Sequence, residues 1–382
     1  MSIKKKINYW RNYLLYSRYK NKYPGLGSNS AGQHDNLDLA LNWILNTHKA
    51  SKDKGVPAVY HLSSAIYLQS YRETTGYIIC TLLDLHQKSA DPLLIKHAIE
   101  MADWELSVQD PSGGFGEIHP DGKEVLKVFN TGQIIFGLCD IYQQTKDRKY
   151  LAAAQKAGDW LCEIQEADGT WQQHTTLGPK SYHSRVAWSL LELDACEPNK
   201  LYMEKAKANL DWVLSCYQAN NYISNTSLNY KSPWTHLIAY TIRGLYESAQ
   251  LLNDNHMEAK AIATLDEIIK THSGSHNPLV NGTFNANWQG DANYSCLTGN
   301  AQLAIIAYRY YAKSKNAIYR QFADGQMELL NQIQIKTGPA TVKGGITGSM
   351  PVYGDYCPHQ IPNWAVKFYI DALLLQEQCN AI

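Results

Sequence analysis

The sequence lacks the features that mark several common classes of protein. Its 35 basic and 35 acidic residues leave no net charge, whereas a general nucleic-acid binder needs a basic surface to neutralise phosphates. No apolar run approaches the length of a membrane-spanning helix, which is about 20 residues. The eight cysteines include no C-x-x-C pair. Since no signal peptide is evident either, we expect a reduced, cytoplasmic protein that binds no nucleic acid.

Phenylalanine is scarce, while tyrosine and tryptophan are abundant. The chain has only 6 Phe against 26 Tyr and 10 Trp. Tyr and Trp combine a flat apolar ring with a polar atom. Two interpretations follow: the rings line a sugar-binding cleft, or they are amphipathic residues of the core and its rim.

The first 22 residues contain no acidic residue but seven Lys or Arg, interleaved with aromatic side chains such as Tyr9, Trp10 and Tyr13. One interpretation is an interfacial helix drawn to anionic lipid at the inner face of the membrane. The other, which we favour, is a basic helix packed on the domain by its aromatic face. We assign residues 1–24 to this basic aromatic segment and residues 25–382 to a single domain.

The rest of the sequence reads as one helical repeat used six times. Helices with one polar face, such as "YLAAAQKAGDWLCEIQ", alternate with helices that are apolar nearly all round, such as "FNTGQIIFGLCDIY". The apolar helices begin near residues 73, 129, 182, 232, 296 and 362, at spacings of 50 to 66 residues. Six stacked pairs with the apolar helices inside predict an all-α fold, the (α/α)6 toroid.

The stretch "QEADGTW", which ends at Trp171, carries the Gln-to-Gly-x-Trp signature that terpenoid cyclases repeat. A second copy of the pattern ends an earlier polar-faced helix, at Trp104–Gly116. No two aspartates are adjacent anywhere in the chain, so both the substrate-protonating and the magnesium-binding motifs of terpenoid cyclases are absent. We therefore interpret the signature as the end of an outer helix, with Trp171 packed rather than catalytic.

Loop lengths indicate which end of the toroid carries function. Connections from an inner helix to the next outer helix are short, whereas most of those from an outer to an inner helix have roughly 14 to 25 residues. Long loops on a rigid scaffold usually carry function. The N-termini of all six inner helices lie at that rim, and their dipoles favour an anionic ligand.

The candidate site residues are the polar and aromatic side chains at this rim. Those predicted to act in catalysis are Tyr182, His183, Arg185, His236, Tyr294 and Glu73. Those predicted to bind substrate are Tyr77, Asn130, Gln133, Trp188, Trp234, Asp291, Asn300, Asp355, His359, Asn363 and Trp364. Asp355, Cys357 and His359 in "DYCPH" also have a spacing that zinc could use, but a lone cluster is a weak signal and we predict no metal and no cofactor.

Four segments carry a resemblance to a known family: "SYRETTGYIICTLLD", "VFNTGQIIFGL", "YHSRVAWSLLEL" and "GGITGSMPVYGDYCPHQIPNWAVKFYIDAL". The chain resembles a family encoded in bacterial exopolysaccharide and O-antigen gene clusters. Arg72 departs from the proline expected there. The resemblance implies a role in surface-polysaccharide assembly. More distantly, the toroid is similar to the helical domain of glucuronyl C5-epimerases, to polysaccharide lyases and to glycoside hydrolases.

Three functions remain open at the level of sequence. The first is proton abstraction next to a uronate carboxylate, giving lyase or C5-epimerase chemistry, with His and Tyr moving the proton. The second is glycoside hydrolysis by two carboxyls, chosen from Glu73, Glu117, Asp291 and Asp355. The third is a glycan-binding or scaffold protein without catalysis. The expected partner in each case is an oligo- or polysaccharide, and an acidic one in the first.

The environment of Arg185 bears on whether the substrate is acidic. It lies in an otherwise apolar helix, and a buried guanidinium must be paired. It forms an ion pair with an internal carboxylate such as Glu73, or its planar fork holds a sugar carboxylate.

Overall fold

The computed structural model describes residues 3–23, 26, 35–118, 122–229, 231–275 and 277–381. Thirteen α-helices account for most of this part of the chain, and seven short strands lie in the loops. The first helix, α1 (Ile3–Tyr19), continues into a short 3-10 turn, Lys20–Lys22. The other twelve helices alternate between an outer and an inner layer.

The outer helices share one way of starting. Each follows an Asp or Asn whose side-chain oxygen accepts hydrogen bonds from backbone N–H groups of the first turn, which would otherwise lack partners. The six are α2 (Asn36–Ala50), α4 (Pro92–Ser107), α6 (Arg148–Glu163), α8 (Lys200–Ser215), α10 (Asn255–Ser273) and α12 (Ala317–Ile333).

The inner helices form a closed ring. They are α3 (Arg72–Ser89), α5 (Val128–Thr145), α7 (Ser184–Cys196), α9 (Thr235–Leu252), α11 (Leu297–Ser314) and α13 (Asn363–Asn380), and a 3-10 turn, Ser181–His183, leads into α7. Each contacts the next inner helix, and α13 returns to contact both α3 and α2. The predicted all-α toroid of six inner and outer pairs is therefore confirmed, and one apolar core runs from Tyr19 to Cys379.

The connections from inner to outer helices are tight turns with a common backbone. Four inner helices end at a residue with φ between 52° and 59°, and the residue that follows is the capping Asp or Asn of the next outer helix. These turn residues are Ala90, Lys146, Asn253 and Lys315. The left-handed residue reverses the chain at once, so the connections at this end are short. A polar groove of about 620 Å³ also opens here, lined by the C-terminal halves of inner helices through Asp84, Arg243, Arg309 and Asp371.

The stretch that ends at Trp171 closes an outer helix, as predicted. Helix α6 ends at Glu163, and Gly169 has a φ of +82°. The Trp171 side chain is fully buried, and its Nε1 donates a hydrogen bond to the carbonyl of Leu161 at 2.9 Å. The aromatic ring thus packs back on the helix that it follows.

The strands all lie in connections that lead from outer to inner helices. Antiparallel β1 (Val59–His61), β2 (Ile66–Tyr67) and β7 (Gln360–Pro362) form one sheet in the order β2-β1-β7. The pairs β3 (Gly116–Ile118) with β4 (Glu124–Leu126), and β5 (Ser295–Cys296) with β6 (Ser349–Met350), are also antiparallel. Arg72 forms an ion pair with Glu124 on β4. These small sheets fix the long loops above the inner helices.

Helix α1 packs on this rim through its tyrosines. The rings of Tyr9, Tyr13 and Tyr16 surround Tyr353 at centroid distances of 5.2 to 5.6 Å. The hydroxyl of Tyr19 lies 2.7 Å from Nδ1 of His359. The favoured interpretation of the basic segment, packing by its aromatic face, thus describes residues 3–23. No helix in the described part of the chain combines the length and the apolar character that crossing a bilayer requires.

Candidate active site

A cavity of about 310 Å³ opens at the end of the ring where the inner helices begin. The first turns of α3, α5, α9 and α13 contribute to its wall, together with the turn before α7 and the long loops. We call it the main cavity. Seven of the side chains predicted from the sequence line it: Glu73, Asn130, Tyr182, His183, Trp234, His236 and Trp364.

Glu73 is the carboxyl of the first turn of α3, and it is half-buried in the cavity wall. The hydroxyl of Tyr71 donates a hydrogen bond to its Oε2 at 3.0 Å. Burial raises the pKa of Glu73 to about 7; the charge of Glu117 acts in the same direction, while the Tyr71 hydrogen bond and the charge of Arg185 oppose it. A carboxyl with this pKa is present in both protonation states near neutral pH, so it can take up or give a proton.

Two buried nitrogen atoms of the wall have no hydrogen-bond partner within 3.5 Å among the described residues, and one of them, on Asn130, interacts more loosely with Tyr71. They are Nδ2 of Asn130, in the first turn of α5, and Nδ1 of His183, just before α7. Burial lowers the pKa of His183 to about 3, and the charge of Lys180 adds to this, so the imidazole is neutral. A buried polar group without a partner costs about 1–3 kcal/mol. A ligand that hydrogen-bonds to both atoms would remove this cost.

A second carboxyl lies in the same cavity in a different environment. Glu117, on β3, accepts a hydrogen bond in an ion pair with Nζ of Lys127 at 3.2 Å. Lys127 is the residue before α5, and both side chains line the main cavity. One carboxyl is therefore paired with a cation, whereas the other, Glu73, is bonded to a neutral hydroxyl.

Aromatic rings form the opposite wall of the main cavity. The rings of Trp234 and Tyr356 lie 5.4 Å apart, and Nε1 of Trp364 donates to the Tyr356 hydroxyl at 2.8 Å. His236 lies against Tyr240 with ring centroids 4.2 Å apart, and burial lowers its pKa to about 3. Flat apolar faces edged by polar atoms suit a sugar ring, which has both kinds of surface.

Arg185 does not line the main cavity, and its buried Nη1 has no hydrogen-bond partner among the described residues. Its predicted contact with a sugar carboxylate stays a prediction. Its Nε donates to Oε1 of Gln133 at 2.8 Å, and its guanidinium carbon lies 4.7 Å from the Tyr240 ring centre and 5.2 Å from that of Trp188. Among the described residues it forms no ion pair with Glu73. Aromatic faces stabilise the buried cation instead, and Gln133 and Trp188 belong to this cage rather than to the cavity lining.

Asn300 and Asn363 also lie outside the main cavity, because their amides hold loops. Oδ1 of Asn300 accepts from the backbone N–H of Val280 at 2.9 Å, and its Nδ2 donates to the carbonyl of Cys296 at 2.7 Å. Nδ2 of Asn363 donates to the carbonyl of Pro57 at 3.0 Å. Both amides therefore have a structural part, and the substrate-binding role of the two residues stays a prediction.

Tyr77 and His359 are similarly occupied. The Tyr77 hydroxyl lies 3.5 Å from that of Tyr240; Tyr240 lines the main cavity, but Tyr77 lies behind it and does not. His359 is buried and bonded to Tyr19 of the N-terminal segment. The other groups of "DYCPH" diverge, since Cys357 lines the main cavity and Asp355 lines a different groove. The three therefore do not form a zinc site.

The remaining predicted residues, Asp291, Tyr294 and Asp355, line a neighbouring groove of about 700 Å³, which shares Trp234 with the main cavity. We call it the side groove. It opens on the same rim, so the sequence placed these residues at the correct end of the ring but not in the cavity of Glu73.

Sequence reasoning missed several residues that line the main cavity. Tyr71 caps the start of α3 and directly contacts Glu73, and its place two residues before Glu73 in "YRETTGY" was the available signal. The others assigned no role include Lys127, Phe129, His174, Tyr240 and Tyr356. Phe129 and Tyr240 lie near the start of α5 and α9, whereas the other three come from connections whose paths no periodic pattern fixes.

Elsewhere in the described chain, one group of three side chains has metal-ligand chemistry. Ligand atoms of His48, His97 and Glu100 lie within 4.8 Å of one another. The two imidazoles already bond to each other, Nδ1 to Nδ1 at 2.9 Å, and Glu100 forms an ion pair with Lys54 at 3.3 Å. These contacts satisfy the three groups without an ion.

Comparison with known proteins agrees with this architecture. The family model of the ulvan lyase N-terminal domain matches residues 108–298, half of the 382-residue chain. No curated protein matches the sequence.

Among solved structures, an unsaturated glucuronyl hydrolase specific for heparin is 13% identical, with a TM-score of 0.70 over 91% of this chain and 97% of that one. An unsaturated glucuronyl hydrolase of Bacillus sp. GL1, responsible for glycosaminoglycan degradation, is 14% identical, with a TM-score of 0.69 over 89% and 95%. The cellobiose 2-epimerase of Bacillus thermoamylovorans B4167 is 10% identical, with a TM-score of 0.72 over 89% and 96%. At these identities the likeness establishes a shared fold.

Proposed function

The chain belongs to the ulvan lyase N-terminal domain family, and from this premise we propose that it is a carbohydrate-active enzyme that acts on a uronate-containing glycan. The reaction begins when a base removes the proton on C5, next to the uronate carboxylate. In a lyase, the bond between C4 and the glycosidic oxygen then breaks and a C4–C5 double bond forms. In a C5-epimerase, a proton returns to C5 from the opposite face.

The observation that carries the proposal is the pair of unpartnered nitrogens in the cavity of Glu73. Removal of the C5 proton places negative charge on the uronate carboxylate, and donors already in place stabilise that charge. The amide of Asn130 supplies such a donor, and the N-termini of the inner helices contribute their positive ends. The neutral imidazole of His183 completes the set with a further polar contact to the sugar.

Glu73 and Tyr182 take the proton-transfer roles. Ionised Glu73 accepts the C5 proton, because its pKa of about 7 matches neutral conditions. Burial raises the pKa of Tyr182 above its usual range, so its hydroxyl carries a proton that it donates to the departing oxygen. His236, on the aromatic wall, provides a polar edge for a sugar hydroxyl.

Hydrolysis is the alternative, and one observation favours it. Glu73 and Glu117 line the same cavity in unlike environments, and two carboxyls with separate protonation states are what glycoside hydrolysis requires. In that mechanism protonated Glu73 is the general acid and Glu117, held by Lys127, is the base or nucleophile. Asp291 and Asp355 lie in the side groove and are not needed.

The products decide between these reactions. We propose incubating the protein with ulvan, heparin and hyaluronan, and following both ultraviolet absorbance of new double bonds and release of reducing ends. A lyase yields both signals in equal amount, whereas a hydrolase yields reducing ends alone. Binding without either signal or change at C5, for all three polymers, would contradict an enzymatic role. E328Q, on the exposed face of α12, is the control for variants of Glu73.

We further propose that the protein serves surface-polysaccharide assembly in the cytoplasm, at the inner face of the membrane. Its sequence resemblance supports the process, and all eight cysteines are free, which fits a reducing compartment. Helix α1 exposes Ile7, Trp10 and Leu14 beside Arg11 and Arg18, a combination suited to anionic lipid. Co-sedimentation with vesicles that contain phosphatidylserine tests this, since W10A and L14A should lower the bound fraction.

A further inference from the structure

The side groove continues the main cavity along the long-loop rim. Trp234 lines both, and the side groove holds about 700 Å³ against about 310 Å³ for the main cavity. Four separate segments build its wall: α1 at Asn8, the loop before α9, the loop before α11 and the loop before α13. Two adjoining spaces of this kind have room for more than the one sugar on which the chemistry acts.

The aromatic platform at the junction is held rigidly. Nε1 of Trp234 donates to the hydroxyl of Tyr294 at 3.1 Å, and the Trp234 ring also packs on Tyr356. Tyr294 is 6% exposed and Trp234 is half-buried, so each presents one side to the groove. A sugar ring that leaves the main cavity over Trp234 therefore meets a fixed apolar surface.

The charges of the side groove select against an acidic sugar. Asp291 is exposed; its two oxygens accept hydrogen bonds from Ser232 Oγ, at 2.8 Å, and from the hydroxyl of Thr283. A carboxylate has about four acceptor sites, so Asp291 retains acceptors for the hydroxyls of a ligand. Among the described side chains that line the groove, Asp355 adds a second exposed carboxylate, against one cation, Lys231. Two acceptor-only anions bind hydroxyl groups and repel carboxylate or sulfate.

We propose that the side groove binds uncharged sugars that flank the uronate held in the main cavity, so that the substrate is a glycan in which uronate alternates with neutral sugar. This inference rests on the proposed function. It assigns Trp234, Asp291 and Asp355 to substrate selection, and it gives the N-terminal helix a part in the site through Asn8.

Hyaluronan and heparin fragments test the inference, because their uronates alternate with an uncharged and a sulfated amino sugar, respectively. We would measure binding of a hyaluronan disaccharide, a hyaluronan tetrasaccharide and a heparin tetrasaccharide by calorimetry. For the native sequence we expect the hyaluronan tetrasaccharide to bind at least 10-fold more tightly than the disaccharide and than the heparin tetrasaccharide. In the D291N/D355N variant most of the gain with length should be lost, and heparin binding should strengthen.

Two controls separate the possible outcomes. D211N, on the exposed face of α8, should bind like the native protein, and D355N alone provides a variant that leaves the contacts of Asp291 to Ser232 and Thr283 intact. Equal affinities for the disaccharide and the tetrasaccharide, unchanged binding in both groove variants, or no binding of any fragment would overturn the inference. Length-dependent binding with no double bond, no reducing end and no change at C5 would instead contradict the proposed function and leave the groove assignment standing.

Discussion

Glu73 is the side chain of the main cavity that we propose transfers the proton. It is bonded to a hydroxyl, half-buried and placed where the first turn of α3 meets the cavity. Burial makes the charged form less stable, which raises the pKa of Glu73 to about 7 and prepares it for proton transfer.

The pH dependence of E73Q and of the native protein distinguishes the two mechanisms. If Glu73 is the base, kcat/KM of the native protein rises with pH through about 7, since the ionised form is required. If Glu73 is a general acid, kcat/KM falls over the same interval. We expect the rise, and we expect E73Q to lower kcat by about 100-fold or more at pH 8, where Glu73 of the native protein is ionised. A profile that is flat between pH 5 and 8 would argue against either role for Glu73.

The same carboxyl should make the protein less stable at high pH. Because the pKa of Glu73 is higher in the folded state than in the unfolded chain, the folded state binds more protons, and stability falls as pH rises from about 4.5 to about 7. E73Q removes this penalty, which is at most about 3 kcal/mol. Thermal unfolding at pH 5 and pH 8 tests this. The stability of E73Q relative to the native protein should be higher at pH 8 than at pH 5, whereas the relative stability of E328Q should be the same at both pH values.

We predict that the side-chain amide of Asn130 donates a hydrogen bond to the substrate carboxylate. A hydrogen bond to a charged group contributes about 1.5–3 kcal/mol, so N130A should weaken binding of an acidic oligosaccharide by about 10- to 150-fold. Binding of the carboxyl-reduced form should change little. Titration calorimetry of both ligands with both proteins measures the difference, and equal losses would place the amide of Asn130 on another part of the sugar.

Asn130 and Asn300 show why residue roles escaped the sequence. Both are buried asparagines in the first turn of an inner helix, and both were predicted to bind substrate. Only Asn130 lines the main cavity, because the loop before α11 passes over Asn300 and takes its hydrogen bonds. Loop paths of this kind follow from tertiary packing, which no periodic pattern in the sequence records.

At the scale of elements, the ends of the helices were easier to predict. Turn chemistry is local, so the end of α6 could be recognised from Gly169 by residue type alone. The start of α7 was less accessible, because a 3-10 turn carrying Tyr182 and His183 precedes the regular helix.

Gly169 and Gly325 give a matched pair for testing the role of the outer-helix ends. At Gly169 φ is +82° and an added Cβ would lie 2.3 Å from the carbonyl oxygen of Ala208, so G169A should destabilise the protein by more than 1 kcal/mol. Gly325 is inside α12 with open space around it, so G325A should be neutral or stabilising by up to about 1 kcal/mol. Urea unfolding measures both. Similar effects of the two changes would contradict the described end of α6.

For the molecule as a whole, the helical repeat was the feature of the sequence that predicted the fold. Six polar-faced helices alternating with six apolar ones leave the ring as the arrangement that buries every apolar face, and contact of α13 with α3 closes it. The rim that holds the main cavity also followed from loop length. What the repeat could not specify was the division of that rim into the main cavity and the side groove, since it depends on where α1 and the long loops pack.

The central claim is that the main cavity removes the proton from C5 of a uronate. Proton NMR of the polymer that is turned over, incubated with the native protein in D2O, tests it most directly. We expect loss of the C5 proton signal, either with a new C4–C5 double bond or with deuterium at C5, and we expect E73Q to abolish this loss. Cleavage that leaves the C5 proton in place would rule out proton abstraction and identify the enzyme as a hydrolase.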